Sequence, residues 1–422
     1  MDVVVSIMNI ANIVLLALFC LSYSYQIVYA VVALVRRPNL KKGEGKHPIA
    51  VLVAARNEEG VIPYLIESLH AQDYPKDLYR IFVVADNCTD ETARVAREHG
   101  AVVFERHDTE HIGKGYAMEY LLREIDRTEG EDAFDAYVVF DADNLVEPNF
   151  LTEICKVYDG GADIIAAYRN AKNYADSWVS AGHGMWFIRE ASTLNAARVI
   201  LGQGAVVAGT GFLFSRRVKE HHGGWPFHML TEDTEFMVAS HLAGFDASYA
   251  PDAEFYDEQV TTFRDSFKQR IRWCKGGIQV FSRYKYPLLR SALRGDQTSF
   301  EQLISIAPAY ILMVIALVLN LVLGSVVLAF GRFLDVLPVL ALMILSLSAF
   351  VVFFSILTTV SQWKKIHASP MKKILYIFAF PLFMFSFIPI CLCAMIMRVR
   401  WNPIPHNSHY NIDEMKKKTG IK

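Results

Sequence analysis

Four long apolar runs constrain this chain more than any other feature. They cover residues 3–35, 303–330, 333–360 and 374–397, and a polar stretch from 47 to 300 separates the first from the second. A bilayer crossing needs about 20 consecutive apolar residues, so each run is long enough to span. The polar stretch must therefore fold between membrane anchors. Composition agrees: 53% of the 422 residues are hydrophobic and the mean hydropathy is +0.24, more apolar than ordinary soluble usage. A cleaved signal peptide fits residues 3–35 poorly, because the run is long, lacks a basic N-terminus and shows no small-residue cleavage site. Arg36, Arg37, Lys41, Lys42 and Lys46 follow it at once, which places that end and the polar stretch on the cytoplasmic side. Lys364, Lys365, Lys372 and Lys373 place the link 362–373 on the same side. Four crossings then leave the tail outside, whereas Arg398, Arg400 and Lys416 to Lys418 favour the inside; Pro381 and Pro389 can bend or break the last run. The expected layout is an N-terminal transmembrane helix and basic linker (1–46), a cytoplasmic domain (47–300), transmembrane helices (301–397) and a tail (398–422), in a multi-pass protein of the cell membrane.

The net charge of −2 gives no sign of a nucleic-acid partner. Cys20, Cys88, Cys155, Cys274, Cys391 and Cys393 lack paired metal-ligand spacing and read as small hydrophobes in a reducing compartment.

Within the polar stretch short apolar runs alternate with helical patterns. Residues 49–54, 80–85, 101–104 and 136–140 read as strands, 57–71 as a helix, and Thr89 as the N-cap of a further one. Strands alternating with helices predict an α/β domain with a parallel sheet covered on both faces. In such sheets ligands bind beyond the C-terminal strand ends, where Asp86 and Asp141 lie.

Three strings carry the chemistry. Asp141-Ala142-Asp143 sets two carboxylates where a strand becomes a loop, suited to Mg2+ or Mn2+ holding a diphosphate. Thr231-Glu232-Asp233 opens a helix over 234–242. Acids stabilise a helix start, but Asp233 also suits a general base, with Glu232 positioning the acceptor. Gln269-Arg270-Ile271-Arg272-Trp273 lies in a basic helical stretch, where Arg272 can offset charge on a leaving diphosphate and Trp273 can face a sugar ring. The same stretch fits an amphipathic helix on the membrane surface, and both readings can hold. Residues 178–200 read as a second such helix, with His183, Trp186 and Arg189 as packing residues. Asp86 suits a base or ribose, or an Asx turn. Lys114 lies in a glycine-flanked loop that can approach phosphate or uracil, or stay exposed. Ala208-Gly209-Thr210-Gly211-Phe212 is either a backbone lying close to a sugar or a turn.

Together, and in this order, the strings resemble the processive family-2 glycosyltransferases, which include cellulose, hyaluronan and poly-N-acetylglucosamine synthases. The resemblance covers residues 47–290 and implies a GT-A-type nucleotide-sugar domain inserted between transmembrane helices. It implies that Ala54, Arg56, Glu58, Asp86 and Lys114 contact the nucleotide sugar, with Asp141 and Asp143 serving diphosphate and metal. It implies Asp233 as the base, with Gln269, Arg272 and Trp273 lining the diphosphate and acceptor site. Gly209, Thr210, Gly211 and Glu232 then fall beside the acceptor. The tail string Trp401-Asn402-Pro403-Ile404-Pro405-His406 looks like a C-terminal tryptophan motif of related bacterial synthases, which lies near the active site in some of them and so requires a cytoplasmic tail. The expected activity is inverting transfer from UDP-glucose or UDP-N-acetylglucosamine, with Mg2+ or Mn2+, onto a growing β-linked glycan secreted across the bilayer, accessory export subunits being possible partners. Two rivals stand beside it: a non-processive transferase adding one sugar to a lipid acceptor, and an inactive transferase-like transporter or scaffold.

Overall fold

The computed structural model describes residues 2–306, 308–404, 406 and 408–419. Its centre is one eight-stranded sheet made of β1 (Ile49–Ala55), β2 (Tyr79–Asp86), β3 (Val102–Arg106), β4 (Ala136–Asp141), β5 (Leu145–Val146), β6 (Ile164–Ala171), β7 (Phe212–Ser215) and β8 (Ala247–Asp257). The order is β3-β2-β1-β4-β7-β6-β8-β5. β1 is buried along nearly its whole length, as a central parallel strand rich in Val, Ile and Ala should be. It pairs in parallel with β2 and with β4, so the ends of β1, β2 and β4 lie side by side. Apolar residues pack against both faces, among them Leu65, Leu69 and Ile154 in one core and Leu121, Ile125 and Phe236 in the other.

The sheet is mixed and not parallel throughout, which corrects the expectation from strand–helix alternation. β7 runs antiparallel to both β4 and β6, and β5 pairs antiparallel with the end of β8, Leu145 opposite Tyr256. That last pairing brings Asp257 beside Asp143. Two local expectations also fail. Asn57 adopts a left-handed φ of 58° and its Oδ1 accepts from the Thr89 amide at 2.8 Å, so the helix predicted from 57 starts at Ile62. Thr89 is thereby used elsewhere: the helix after β2 starts at Thr92 without a side-chain cap at Glu91, and Asp90 accepts from the Thr92 amide at 3.1 Å.

Among the described residues, three helical stretches are long and apolar enough to cross a membrane: Asp2–Val35, Leu337–Ser361 and Pro370–Ile396. Between the first two in sequence lies the apolar helix Pro308–Ala329, whose expected start, at 303–307, includes one residue outside the described set. Asn12 and Asn320 exchange amide hydrogen bonds of 2.9 and 2.8 Å between the first helix and this one. Such pairs hold apolar helices together where no hydrophobic force distinguishes protein from lipid.

The run 374–397 is not a simple span. It forms two helices, Pro370–Phe385 and Phe387–Ile396. Lys372 Nζ donates to Ala175 O at 2.7 Å and Lys275 Nζ to Ala394 O at 3.0 Å. Both ends therefore touch the sheet domain and its helices, and the tail lies on that same domain. The segment is thus broken at Ser386, within the stretch whose prolines suggested a bend. The break at Ser386 leaves helix-end carbonyls needing donors, and buried Arg270 supplies them: its Nη1 donates to Phe383 O at 3.1 Å and to Ser386 Oγ at 2.8 Å.

The expected helix over 178–200 is continuous but contains a π segment, Glu190–Asn195, between Trp178–Arg189 and Ala196–Ile200. It docks on Pro370–Phe385 at Gly182, where an added Cβ would stand 2.4 Å from the Phe383 ring. The Gly182→Ala variant should lose about 1–3 kcal/mol through overpacking, read as a lower thermal midpoint of the detergent-solubilised protein. An unchanged midpoint would show that this seam is not tightly packed.

Candidate active site

A cavity of about 420 Å3 opens beyond the C-terminal ends of β1, β2 and β4, within the usual range of small-ligand sites. Its wall carries Ala54, Arg56, Glu58, Asp86, Lys114, Asp141 and Asp143, and also Gly209, Glu232, Asp233, Gln269, Arg272 and Trp273. Of the residues expected at the site, Thr210 and Gly211 stand apart from this wall. Thr210 is buried, accepts from the Asp141 amide at 2.9 Å and donates to Asn144, while the Gly211 amide pairs with Val139 O. These two residues build the floor of the loop; Ala208 and Gly209 are its members on the cavity wall.

The acidic end is richer than the sequence reading foresaw. Asp141, Asp143 and Asp257 bring carboxylate oxygens within 4.8 Å of one another. Burial pushes the Asp143 carboxyl up to about 8, with Asp257, Asp141 and Glu258 adding to it against His406. An oxygen cluster in which Asp257 and Asp141 raise the proton affinity of Asp143 fits a divalent cation. Three cations already border it. Lys114 pairs with Asp141 and donates to Gly209 O at 2.8 Å. Arg169 donates to Asp257 Oδ2 at 2.6 Å and to Ala208 O at 2.7 Å. His406 lies 2.9 Å from Glu58 and 3.8 Å from Asp143. Burial lowers the His406 pKa, but Asp143 and Glu58 raise it to about 10, so the ring is an imidazolium at neutral pH.

Asp86 is engaged by Arg106 in a buried ion pair of 2.6 Å, so its remaining acceptor capacity borders the cavity. Arg56 keeps a buried Nη1 without a partner, and Gln269 a buried Oε1. Unpaired buried polar atoms are costly. A donor and an acceptor of this kind on one cavity wall suit a polar, anionic ligand.

Glu232 and Asp233 open the helix Glu232–Leu242. Burial, and then Asp233, raise the Glu232 carboxyl to about 7. Burial also raises Asp233, against the Thr234 amide, Lys114 and Arg169. Gly209, at φ 78°, lies so close that a Cβ there would sit 3.1 Å from Asp233 Oδ2. The string 269–273 lies in the helix Phe263–Ala292. Gln269, Arg272 and Trp273 line the cavity, whereas Arg270, Ile271 and Cys274 are buried.

The tail completes the wall with Trp401, Pro403, Ile404 and His406; Pro405 lies outside the described residues. The Trp401 ring meets Arg56 at 5.3 Å and Arg272 at 5.9 Å. Sequence reasoning missed Asp257, Arg169, Glu190 and Arg198, all on the same wall, and took Trp186, which also lines it, for a packing or interface residue. Asp257 had a usable signal, since it ends a strand as Asp141 does. His183 is packed as expected, with Nε2 2.8 Å from Ser266 Oγ.

Comparison with known proteins agrees with this geometry. The chain is 28% identical over 287 residues to a beta-monoglucosyldiacylglycerol synthase of Nostoc sp., a match covering 64% of this chain and 58% of that enzyme. It is 24% identical over 272 residues to the poly-beta-1,6-N-acetyl-D-glucosamine synthase of Staphylococcus aureus, covering 63% of each. The match thus spans less than two thirds of these relatives' lengths. A mannosyltransferase from Pyrobaculum calidifontis, solved with GDP-Man and Mn2+, shares the fold with a TM-score of 0.57 at 17% identity, covering 92% of this chain and 99% of that one. The sheet is accordingly of GT-A type. The family model described as glycosyltransferase like family 2 matches residues 47–276, more than half of the chain, and the chain belongs to that family.

Proposed function

We propose that this protein is a membrane-bound inverting hexosyltransferase that passes a sugar from a UDP-sugar to a hydroxyl of a lipid-borne acceptor at the cytoplasmic face of the cell membrane. One observation carries the reading: the acidic cluster, Asp233 and the Gln269-Arg272-Trp273 face line a single cavity whose far wall includes Ser305 and Ile306, at the foot of an apolar helix. The Nostoc relative, named for synthesis of a glycolipid, supports a lipid acceptor.

In this mechanism Asp86, Arg56 and Lys114 border the nucleotide and diphosphate, and Trp273 faces the sugar. Asp233 removes the proton of the acceptor hydroxyl as that oxygen bonds to C1. The bond from C1 to the diphosphate breaks, and UDP leaves with the electron pair. Arg272, Lys114 and the His406 imidazolium offset the charge that grows on UDP. Mg2+ or Mn2+ held by Asp141, Asp143 and Asp257 would supply further neutralisation of the diphosphate, as the Mn2+ of the Pyrobaculum structure suggests. Glu232 accepts a hydrogen bond from the acceptor.

A second reading, repeated addition to a growing β-linked glycan, is favoured by the complete Gln269 to Trp273 string and by the Staphylococcus relative. Supplying membranes with labelled UDP-glucose or UDP-N-acetylglucosamine and sizing the product separates them. Label in a single glycolipid of fixed mass supports the first reading, and a ladder or high polymer the second.

Asp233→Asn should lower transfer by about 10²–10⁴-fold, the usual contribution of a general base, with UDP affinity kept. Retained transfer would remove Asp233 from this role. The pH profile follows from Glu232, whose carboxyl at about 7 is charged above that value and takes a proton below it. The rate at limiting acceptor should therefore fall as pH drops through about 7, and Glu232→Gln should remove that limb at a uniformly lower rate. An acid limb unchanged in Glu232→Gln would assign it to another group.

A further inference from the structure

The wall of the cavity away from the diphosphate end contains a carboxylate that the mechanism above does not use. Glu190 starts the π segment Glu190–Asn195 and lines both the main cavity and a small one behind the Ala208–Gly211 loop. A π turn shifts the register of the side chains that follow it, and such insertions concentrate at functional sites. Behind Glu190 lies Arg198, a guanidinium buried to 3% exposure. Its Nε and Nη2 donate to Glu301 Oε1 at 2.9 and 2.5 Å, and its Nη1 to Asn195 Oδ1 at 2.7 Å and to Glu190 Oε1. Glu301 also accepts from Tyr29 of the first apolar helix at 3.0 Å. Two carboxylates thus share one guanidinium, and Glu301 takes the larger part of it. Glu190 is fixed through one oxygen, and an ionised carboxylate has about four acceptor positions.

The surroundings indicate what those positions receive. Trp186 lies one helical turn before Glu190 and lines the same cavity, with Met237 and Ile306 beyond. An indole face beside a carboxylate suits a polyol, whose C–H groups pack on the ring and whose hydroxyls donate to the oxygens. Ile306 stands at the foot of the apolar helix Pro308–Ala329, so an acyl tail on that polyol would leave the cavity among apolar helices.

We infer that Glu190, held by Arg198, forms an acceptor subsite that takes the hydroxyl-rich head of a membrane amphiphile and turns one hydroxyl toward Asp233. This inference rests on the transferase reading. The test uses the full chain in native membranes with labelled UDP-glucose and UDP-N-acetylglucosamine. It measures label in chloroform–methanol extract, label in polymer, and sugar released to water. Glu190→Gln keeps the shape of the side chain and removes its charge. The expected result is a fall of tenfold or more in the ratio of lipid-linked to released sugar, with UDP affinity within twofold of the parent and an unchanged thermal midpoint. Glu190→Asp should recover part of that ratio. An unchanged ratio overturns the subsite, as does a parallel loss of UDP affinity, which would place Glu190 in the donor site or in the fold alone. Label found only in polymer overturns the amphiphile as its ligand. A parent protein that releases no UDP from either donor would instead overturn the transferase reading beneath it.

Discussion

The contact on which the arrangement depends is the buried Arg270 guanidinium against the helix break at Ser386. It caps Phe383 O and Ser386 Oγ and lies 4.4 and 4.7 Å from the Phe383 and Phe387 rings. A charge buried there is tolerable because the freed backbone carbonyl and two aromatic faces receive it. The consequence reaches the cavity through helical geometry. Positions 269, 272 and 273 share one face of the helix and 270, 271 and 274 the other, as spacings of three and four residues require. Fixing Arg270 to the C-terminal helices therefore fixes Gln269, Arg272 and Trp273 toward the ligand space.

The mixed sheet has a matching role. β7 is antiparallel to both β4 and β6, and β6 pairs in parallel with β8, so β8 runs in the same direction as β4 and its terminal Asp257 emerges at the same edge as Asp141. The antiparallel pairing of β5 with β8 folds the end of β8 back over the Asp141-Ala142-Asp143 turn, and the third carboxylate comes from there. Lys114 and Arg169 then connect this acidic end to the carbonyls of Gly209 and Ala208. Those carbonyls belong to the loop that abuts Asp233. The acidic cluster and the loop beside Asp233 are thus joined by hydrogen bonds from a helix-start lysine and a strand arginine.

The sequence was most legible where local pattern and burial coincide. β1, β2 and β4 are runs of Val, Ile, Ala and Phe ending at polar turns, and their strand-end acids face the cavity as read. What escaped depended on contacts between distant segments. β7 has only four residues, too few for a period to declare its direction. Asn57 is left out of the helix, which starts later than read, because its side chain bonds Thr89 far along the chain. Glu190 and Arg198 went unremarked within the 178–200 helix because their partners, Glu301 and Tyr29, lie far away in sequence. Of the string 208–212, Ala208 and Gly209 line the main cavity, while Thr210 and Gly211 are tied by hydrogen bonds to β4 and its turn. The break in 374–397 was foreshadowed by its prolines, but Arg270, the residue that stabilises it, sat inside a string read for its chemistry.

Trp401 and His406 are translated after every sheet strand and every apolar helix, yet they close the ligand space over Arg56, Arg272 and Glu58. That wall comes from residues that follow the sheet strands and the long apolar helices in sequence, so the cavity is a product of the folded whole and not of the sheet domain alone.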